Sequence, residues 1–145
     1  MDIKIIRNNK KDFLDLLLLG DESEAMIDLY LSMGELFALY DVDLRSICVV
    51  TDESGGNFEI KNLATYEKYQ NKGYAGRLIE YVCTYYKNLC RNMYVGTGEM
   101  MAGFYERHGF TLSHKIENFF IDNYENPIIE NGVLLVDMIY LKKEL

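Results

Sequence analysis

The stretch YQNKGYAGRL, Tyr69 to Leu78, sets Gly73 and Gly76 where a helix must start. A glycine costs a helix interior roughly 0.5–1 kcal/mol relative to alanine. Two of them at a nucleating turn point to chemistry at the backbone. The first amide N–H groups of a helix have no partner within it, and the helix dipole adds partial positive charge there. Small residues let a phosphate approach and accept several main-chain hydrogen bonds. On this reading Gly73, Ala75 and Gly76 permit the approach and Lys72 adds a point charge. On the other reading the glycines relieve crowding between a helix and a sheet. The stretch is not a Walker A loop, since GxxxxGK[ST] is absent, and GTGEMMAG (Gly96 to Gly103) does not fit GxGxxG.

The elements that would position this turn follow from periodicity. DIKIIR reads as a first strand, and Asp12–Leu19 and Glu22–Leu31 as two short helices parted by Gly20 and Asp21. ELFALYD, LRSICVVTDE and NFEIKNLATY read as three strands, with a hairpin signal at DESGGN. Helical spacing of Leu78, Val82, Tyr86 and Leu89 predicts a helix from Gly73 to Arg91. MYVGT is a fifth strand, and EMMAGFYERH a helix ended by Gly109 in a C′ position. FTLSHKI and VLLVDMIYL close the sheet around the aromatic, acidic, turn-rich ENFFIDNYENPIIENG. The order is α+β.

The chain has 145 residues, of which 49% are hydrophobic. That suits a single domain over residues 1–145, with no linker and no repeat. The net charge of −8 argues against a nucleic-acid binder and is compatible with a cationic acceptor. Cys48, Cys83 and Cys90 form no CxxC and no metal-ligand spacing. Cys83 and Cys90 stand roughly 10 Å apart along the predicted helix, too far for a disulfide. The N-terminus lacks a signal core and FLDLLLLG is too short to span a membrane. The expectation is a cytoplasmic protein with no membrane partner and no metal.

QNKGYA (Gln70 to Ala75) resembles the Q/R-x-x-G-x-G/A signature of the GNAT acyltransferase superfamily, placed after the fourth strand and opening the third main helix. FYERHGF (Phe104 to Phe110) resembles that family's second landmark. The resemblance covers nearly the whole chain. It implies a single GNAT-like domain with a central mixed, mostly antiparallel twisted sheet of about seven strands and about four flanking helices. The fourth and fifth strands would splay apart.

The resemblance also implies a cofactor, acetyl-coenzyme A, and a site. Gln70, Asn71, Lys72, Gly73, Tyr74, Ala75 and Gly76 would bind its pyrophosphate, mostly through backbone N–H groups. Leu63, Ala64 and Thr65 would pair with the pantetheine arm, one main-chain N–H polarising the thioester carbonyl. The acceptor must be a neutral amine, yet an alkyl ammonium has a pKa of about 10.4. Glu59, eleven residues before Gln70, matches the general base of several members. It also reads as an ordinary strand glutamate, and Lys61 should point to its side. Tyr105 matches the family's general acid, and it also reads as a core tyrosine beside Phe104. One departure is Gly98, where many relatives carry asparagine.

Acceptor specificity in the family comes from the early helices and the loop before the last strand, here offering Phe119, Phe120, Asp122, Tyr124 and Glu125 as an aromatic and acidic wall. The implied reaction is direct transfer of acetyl to a primary amine of a small molecule or peptide. A covalent acyl-enzyme is disfavoured, because the cysteines lie outside both motifs and DESGG is not a G-x-S-x-G elbow. A non-catalytic acyl-coenzyme A-binding or sensing domain is the alternative. A homodimer is an expectation at family level only.

Overall fold

Alternation in ELFALYD and its neighbours builds a sheet buried on both faces. Phe37, Leu39, Cys48, Val50, Phe58 and Ile60 point into one core, while Leu36, Ala38, Ile47, Val49 and Ala64 point into another. A computed structural model describes residues 1–145. Its main sheet holds strands β1 (Asp2–Ile6), β2 (Glu35–Asp41), β3 (Asp43–Asp52), β4 (Asn57–Thr65), β5 (Asn92–Thr97), β6 (Thr111–Ile116) and β9 (Met138–Glu144). The spatial order is β1-β2-β3-β4-β5-β9-β6. All neighbours are antiparallel except β4 and β5.

Helices α1 (Leu14–Gly20) and α2 (Glu24–Tyr30) cover one face through Leu16, Leu17, Ile27 and Tyr30. Ser23 caps α2, its hydroxyl accepting from the Met26 N–H at 3.2 Å. The other face is covered by α3 (Tyr74–Tyr85) and α4 (Ala102–Arg107). The chain leaves α3 at Tyr85, earlier than its periodicity predicts. Tyr86 turns into the core with its hydroxyl on Glu35, and Cys90 N–H closes the turn on the Tyr86 carbonyl at 2.8 Å.

VLLVDMIYL is not one strand. Leu135 turns into a small cluster with Phe120 and Ile128, so the segment splits. A fifth short helix, α5 (Phe119–Asn123), and a hairpin of β7 (Ile129–Glu130) and β8 (Val133–Leu134) precede β9. Gly109 takes the left-handed conformation after α4, φ +92°, as a C′ glycine should. All three cysteines are free and buried. No helix is long and apolar enough to cross a membrane.

Leu78, fully buried, fastens α3 to the sheet. Leu78→Ala is expected to destabilise the fold by about 2–5 kcal/mol, read as a lower urea midpoint. A shift below about 1 kcal/mol would mean that α3 is held by its loop rather than by its core face.

Candidate active site

β4 and β5 pair only from Asn57↔Asn92 to Ile60↔Val95. Beyond Ile60, β4 continues to Thr65 with β3 alone. The strands splay and open a cavity of about 910 Å³, bordered by β4, β5, the start of α3, α4 and the chain before β9. Val49 pairs with Asn62 but Val50 with Ile60, so Lys61 is an extra residue, a bulge. A bulge reverses the alternation of everything after it. Glu59 and Asn62 therefore share the α1/α2 face although they stand three positions apart.

The start of α3 is built for exposure of its backbone. Gly73 is the N-cap residue at φ +89°, and a Cβ there would meet nothing within 4 Å. Arg77 makes the first bond of the helix, its N–H donating to the Gly73 carbonyl at 3.1 Å. The N–H groups of Tyr74, Ala75 and Gly76 thus have no partner in the helix, and all three residues line the cavity. Gly76 has a second use. A Cβ on it would lie 2.7 Å from the His108 imidazole Cε1, so its bareness admits the ring at the end of α4.

Side chains hold this loop against the β2–β3 turn. Tyr69 donates its hydroxyl to Asp43 at 3.0 Å and Tyr74 to Asp41 at 2.7 Å, while Arg45 lies over the Tyr69 ring at 3.7 Å. Gln70 braces the loop from inside: its N–H donates to the Glu67 carbonyl at 3.2 Å and its side-chain amide to the Thr65 carbonyl at 3.1 Å. Asn71 borders the cavity in a left-handed conformation, φ +61°. Lys72 is exposed and off the cavity wall, where Arg77 stands instead. Leu63 and Thr65 border the cavity, whereas Ala64 faces the α1/α2 core.

Tyr105 lines the same cavity at 7% exposure, packed edge-on against Phe104 and Phe110. Burial pushes its phenol well above the usual range, so the proton stays on at neutral pH. Glu59 lines a second, adjoining cavity of about 300 Å³. Its Oε2 accepts from the Tyr140 hydroxyl at 3.1 Å and pairs with Lys61 Nζ at 3.2 Å. Its Oε1 has no partner within the chain. Lys61 does lie on the Glu59 side, by way of the bulge. Ile60, Lys61, Gly96 and Met138 border both cavities.

Of the expected acceptor wall, Tyr124 borders both cavities, Phe120 the larger and Phe119 the smaller. Asp122 and Glu125 are exposed and border neither. The acidic residues on the walls are others: Asp21, Glu22, Glu80 and Glu130 in the larger cavity, Asp21, Glu53 and Glu59 in the smaller. Asp21 ties the early helices to the α5 segment, accepting from Tyr30 at 3.2 Å and from Tyr124 at 2.7 Å. Asn62 donates to the Leu17 carbonyl at 2.9 Å and to Tyr30 at 3.1 Å, and its buried Oδ1 has no partner. Gly98, the departure from the family pattern, faces Leu135: a Cβ there would stand 2.9 Å from Leu135 Cδ2. A side chain at 98 would have to displace the end of the Leu135 side chain.

Burial first, and Glu22 second, raise the Glu130 carboxyl above its ordinary 4.5. The unfolded chain then loses this proton at lower pH than the folded one, so stability falls as pH rises beyond 4.5. Glu130→Gln removes the ionisation. Its melting temperature relative to the parent is expected to improve as pH goes from about 4 to about 7, in paired thermal scans. A difference independent of pH would place the Glu130 carboxylate in bulk water.

The acetyltransferase (GNAT) domain family model matches residues 35–112. The uncharacterized N-acetyltransferase YvbK of Bacillus subtilis (strain 168) is 30% identical over 99% of this chain and 96% of its own. The crystal structure of a GNAT family acetyltransferase from Elizabethkingia anophelis with acetyl-CoA bound superposes with a TM-score of 0.92 at 38% identity, over 99% of this chain and 97% of that one. IAA acetyltransferase from Bacillus cereus ATCC 14579 superposes with a TM-score of 0.93 at 30% identity, over 99% of both chains. With the splayed strands and the bare helix start already in place, these matches make the chain a member of the GNAT acetyltransferase family.

Proposed function

We propose that residues 1–145 act as one acetyl-coenzyme A-dependent N-acetyltransferase domain, transferring acetyl directly to a primary amine in a cytoplasmic setting. The observation that carries this reading is the start of α3, where three unpartnered amides open onto the cavity made by the splayed strands. That cavity fits the cofactor's parts in order. Tyr74, Ala75 and Gly76 N–H groups suit a pyrophosphate, with Gly73 leaving room and Arg77 adding charge. The edge of β4 facing away from β3 offers backbone groups at Leu63 and Thr65 to an amide-bearing arm, while those of Ala64 between them turn toward β3.

Bound there, acetyl-coenzyme A supplies the acetyl group as an activated thioester. The protein's own residues then manage protons. Glu59 Oε1, free of internal partners, accepts the proton of the acceptor ammonium directly or through water. Tyr105 keeps its phenolic proton and offers it to the departing sulfur. The carbon–nitrogen bond forms as the carbon–sulfur bond breaks, and the ammonium loses two protons on becoming the amide. Glu59 passes the first to water. The second, shed by the nitrogen after attack, restores the phenolic proton that Tyr105 gives to the thiolate. Three buried free thiols suit a reducing compartment.

Calorimetric titration with acetyl-coenzyme A, against dephosphorylated pantetheine as control, tests the binding site. Gly73→Glu sets bulk and like charge against the phosphates and is expected to weaken binding by at least about tenfold. Unchanged affinity in that variant would overturn the phosphate assignment. Glu59→Gln and Tyr105→Phe are each expected to lower kcat by about 10²-fold or more while leaving cofactor affinity within about twofold. Full turnover in either variant would remove that residue from the mechanism, and binding without turnover in the parent would favour a sensing domain.

A further inference from the structure

We infer that the acceptor is a compact primary amine with an apolar body, seated in the smaller cavity with its nitrogen at Glu59. The inference rests on the acetyl transfer proposed above and concerns the class of amine. Apolar side chains prevail in the cavity's lining. Met26, Leu29 and Met33 line one side, from α2 and the turn after it, and Phe119, Met138 and Tyr140 line the other. Leu29 is 67% exposed and Met33 78% exposed, so two large apolar side chains stand uncovered at the mouth. Glu59 is 9% exposed, with Oε2 engaged by Tyr140 and Lys61 and Oε1 free.

This layout selects an amphipathic molecule. An ammonium group finds a charged acceptor at Glu59, and the carbon skeleton behind it covers thioether, aliphatic and aromatic surface. At about 300 Å³ the space lies at the small end of ligand sites, enough for one ring or a branched alkyl chain. The cavity's other polar side chains already hold partners: Asp21 accepts from Tyr30 and Tyr124, Glu53 accepts from Thr51 at 2.6 Å, and Lys61 pairs with Glu59. A polyhydroxylated amino sugar would set most of its hydroxyl groups against apolar side chains, Met26, Leu29, Met33 and Phe119 among them. A polyamine's second cation would meet only carboxylates that already accept from tyrosine or threonine. Methionine is flexible and polarisable, so the apolar wall accommodates bodies of differing shape. Ile60, Lys61, Gly96 and Met138 also border the larger cavity. A nitrogen at Glu59 therefore lies where the two spaces join.

The test measures thiol release with acetyl-coenzyme A and each of 2-phenylethylamine, spermidine, kanamycin and a short unblocked peptide. The expected result is a kcat/KM for 2-phenylethylamine at least about tenfold above the other three. The double variant Leu29→Glu with Met33→Glu changes exposed positions, and should raise KM for 2-phenylethylamine by about tenfold or more. Its acetyl-coenzyme A affinity, read by calorimetry, should move by less than about twofold and reports that the fold is intact. Preference for spermidine, kanamycin or the peptide overturns the inference, as does an unchanged KM in the double variant. In those outcomes acetyl-coenzyme A still binds and the transferase reading stands. Failure of the parent to bind acetyl-coenzyme A removes both.

Discussion

The parting of β4 from β5 after Ile60 and Val95 is the constraint on which the cleft depends. Each strand is held on its far side beyond that point: β4 by β3 as far as Thr65↔Ser46, and β5 by β9 as far as Thr97↔Ile139. Backbone groups on the two inner edges are left without sheet partners, and such groups are costly unless water or a ligand satisfies them. A protein that keeps this opening at the centre of its sheet holds backbone donors and acceptors ready for an extended, amide-bearing molecule. The bare start of α3 at one end of the same opening supplies the matching seat for negative charge.

The bulge at Lys61 then decides which chemistry faces which side. It lets Glu59 and Asn62 share the face covered by α1 and α2, while Ile60 and Leu63 pack toward α3. The glutamate borders the smaller cavity and Tyr105 the larger, separated by a wall that both cavities share. A carboxylate on one side of a sheet and a phenol on the other suit a reaction in which nucleophile and leaving group meet a carbonyl from different directions. The Asp21 link to Tyr30 and Tyr124 keeps the acceptor-side walls, from opposite ends of the chain, at fixed separation.

Local pattern made the strands, the hairpin at Ser54–Gly56, the C′ glycine and the α3 start legible, because each rests on neighbours in sequence. Gly73 was readable for the same reason: a left-handed residue before a helix needs glycine, and the two landmarks placed it. Features set by partners far along the chain were not. The bulge depends on how β4 registers with β3. Asp21 meets Tyr124 across 103 positions, and nothing near either residue announces the pair. The contact of Gly76 with the His108 ring joins two helices and leaves no mark near either residue, and Glu130 sits in a segment without regular period. VLLVDMIYL read as one strand because its composition is uniform. Only the tertiary cluster around Leu135 explains the break.

β9 follows every other strand in the chain, yet it lies between β5 and β6. During synthesis β1 to β4 can form a meander as they emerge, since each pairs with its sequence neighbour. β5 and β6 must wait, with their facing edges open, until the last strand has left the ribosome. The wall of the cleft carried by the chain before β9 arrives at the same late moment. The nascent polypeptide thus passes through a stage with half a sheet and two unpaired edges, the stage at which a chaperone has most to protect.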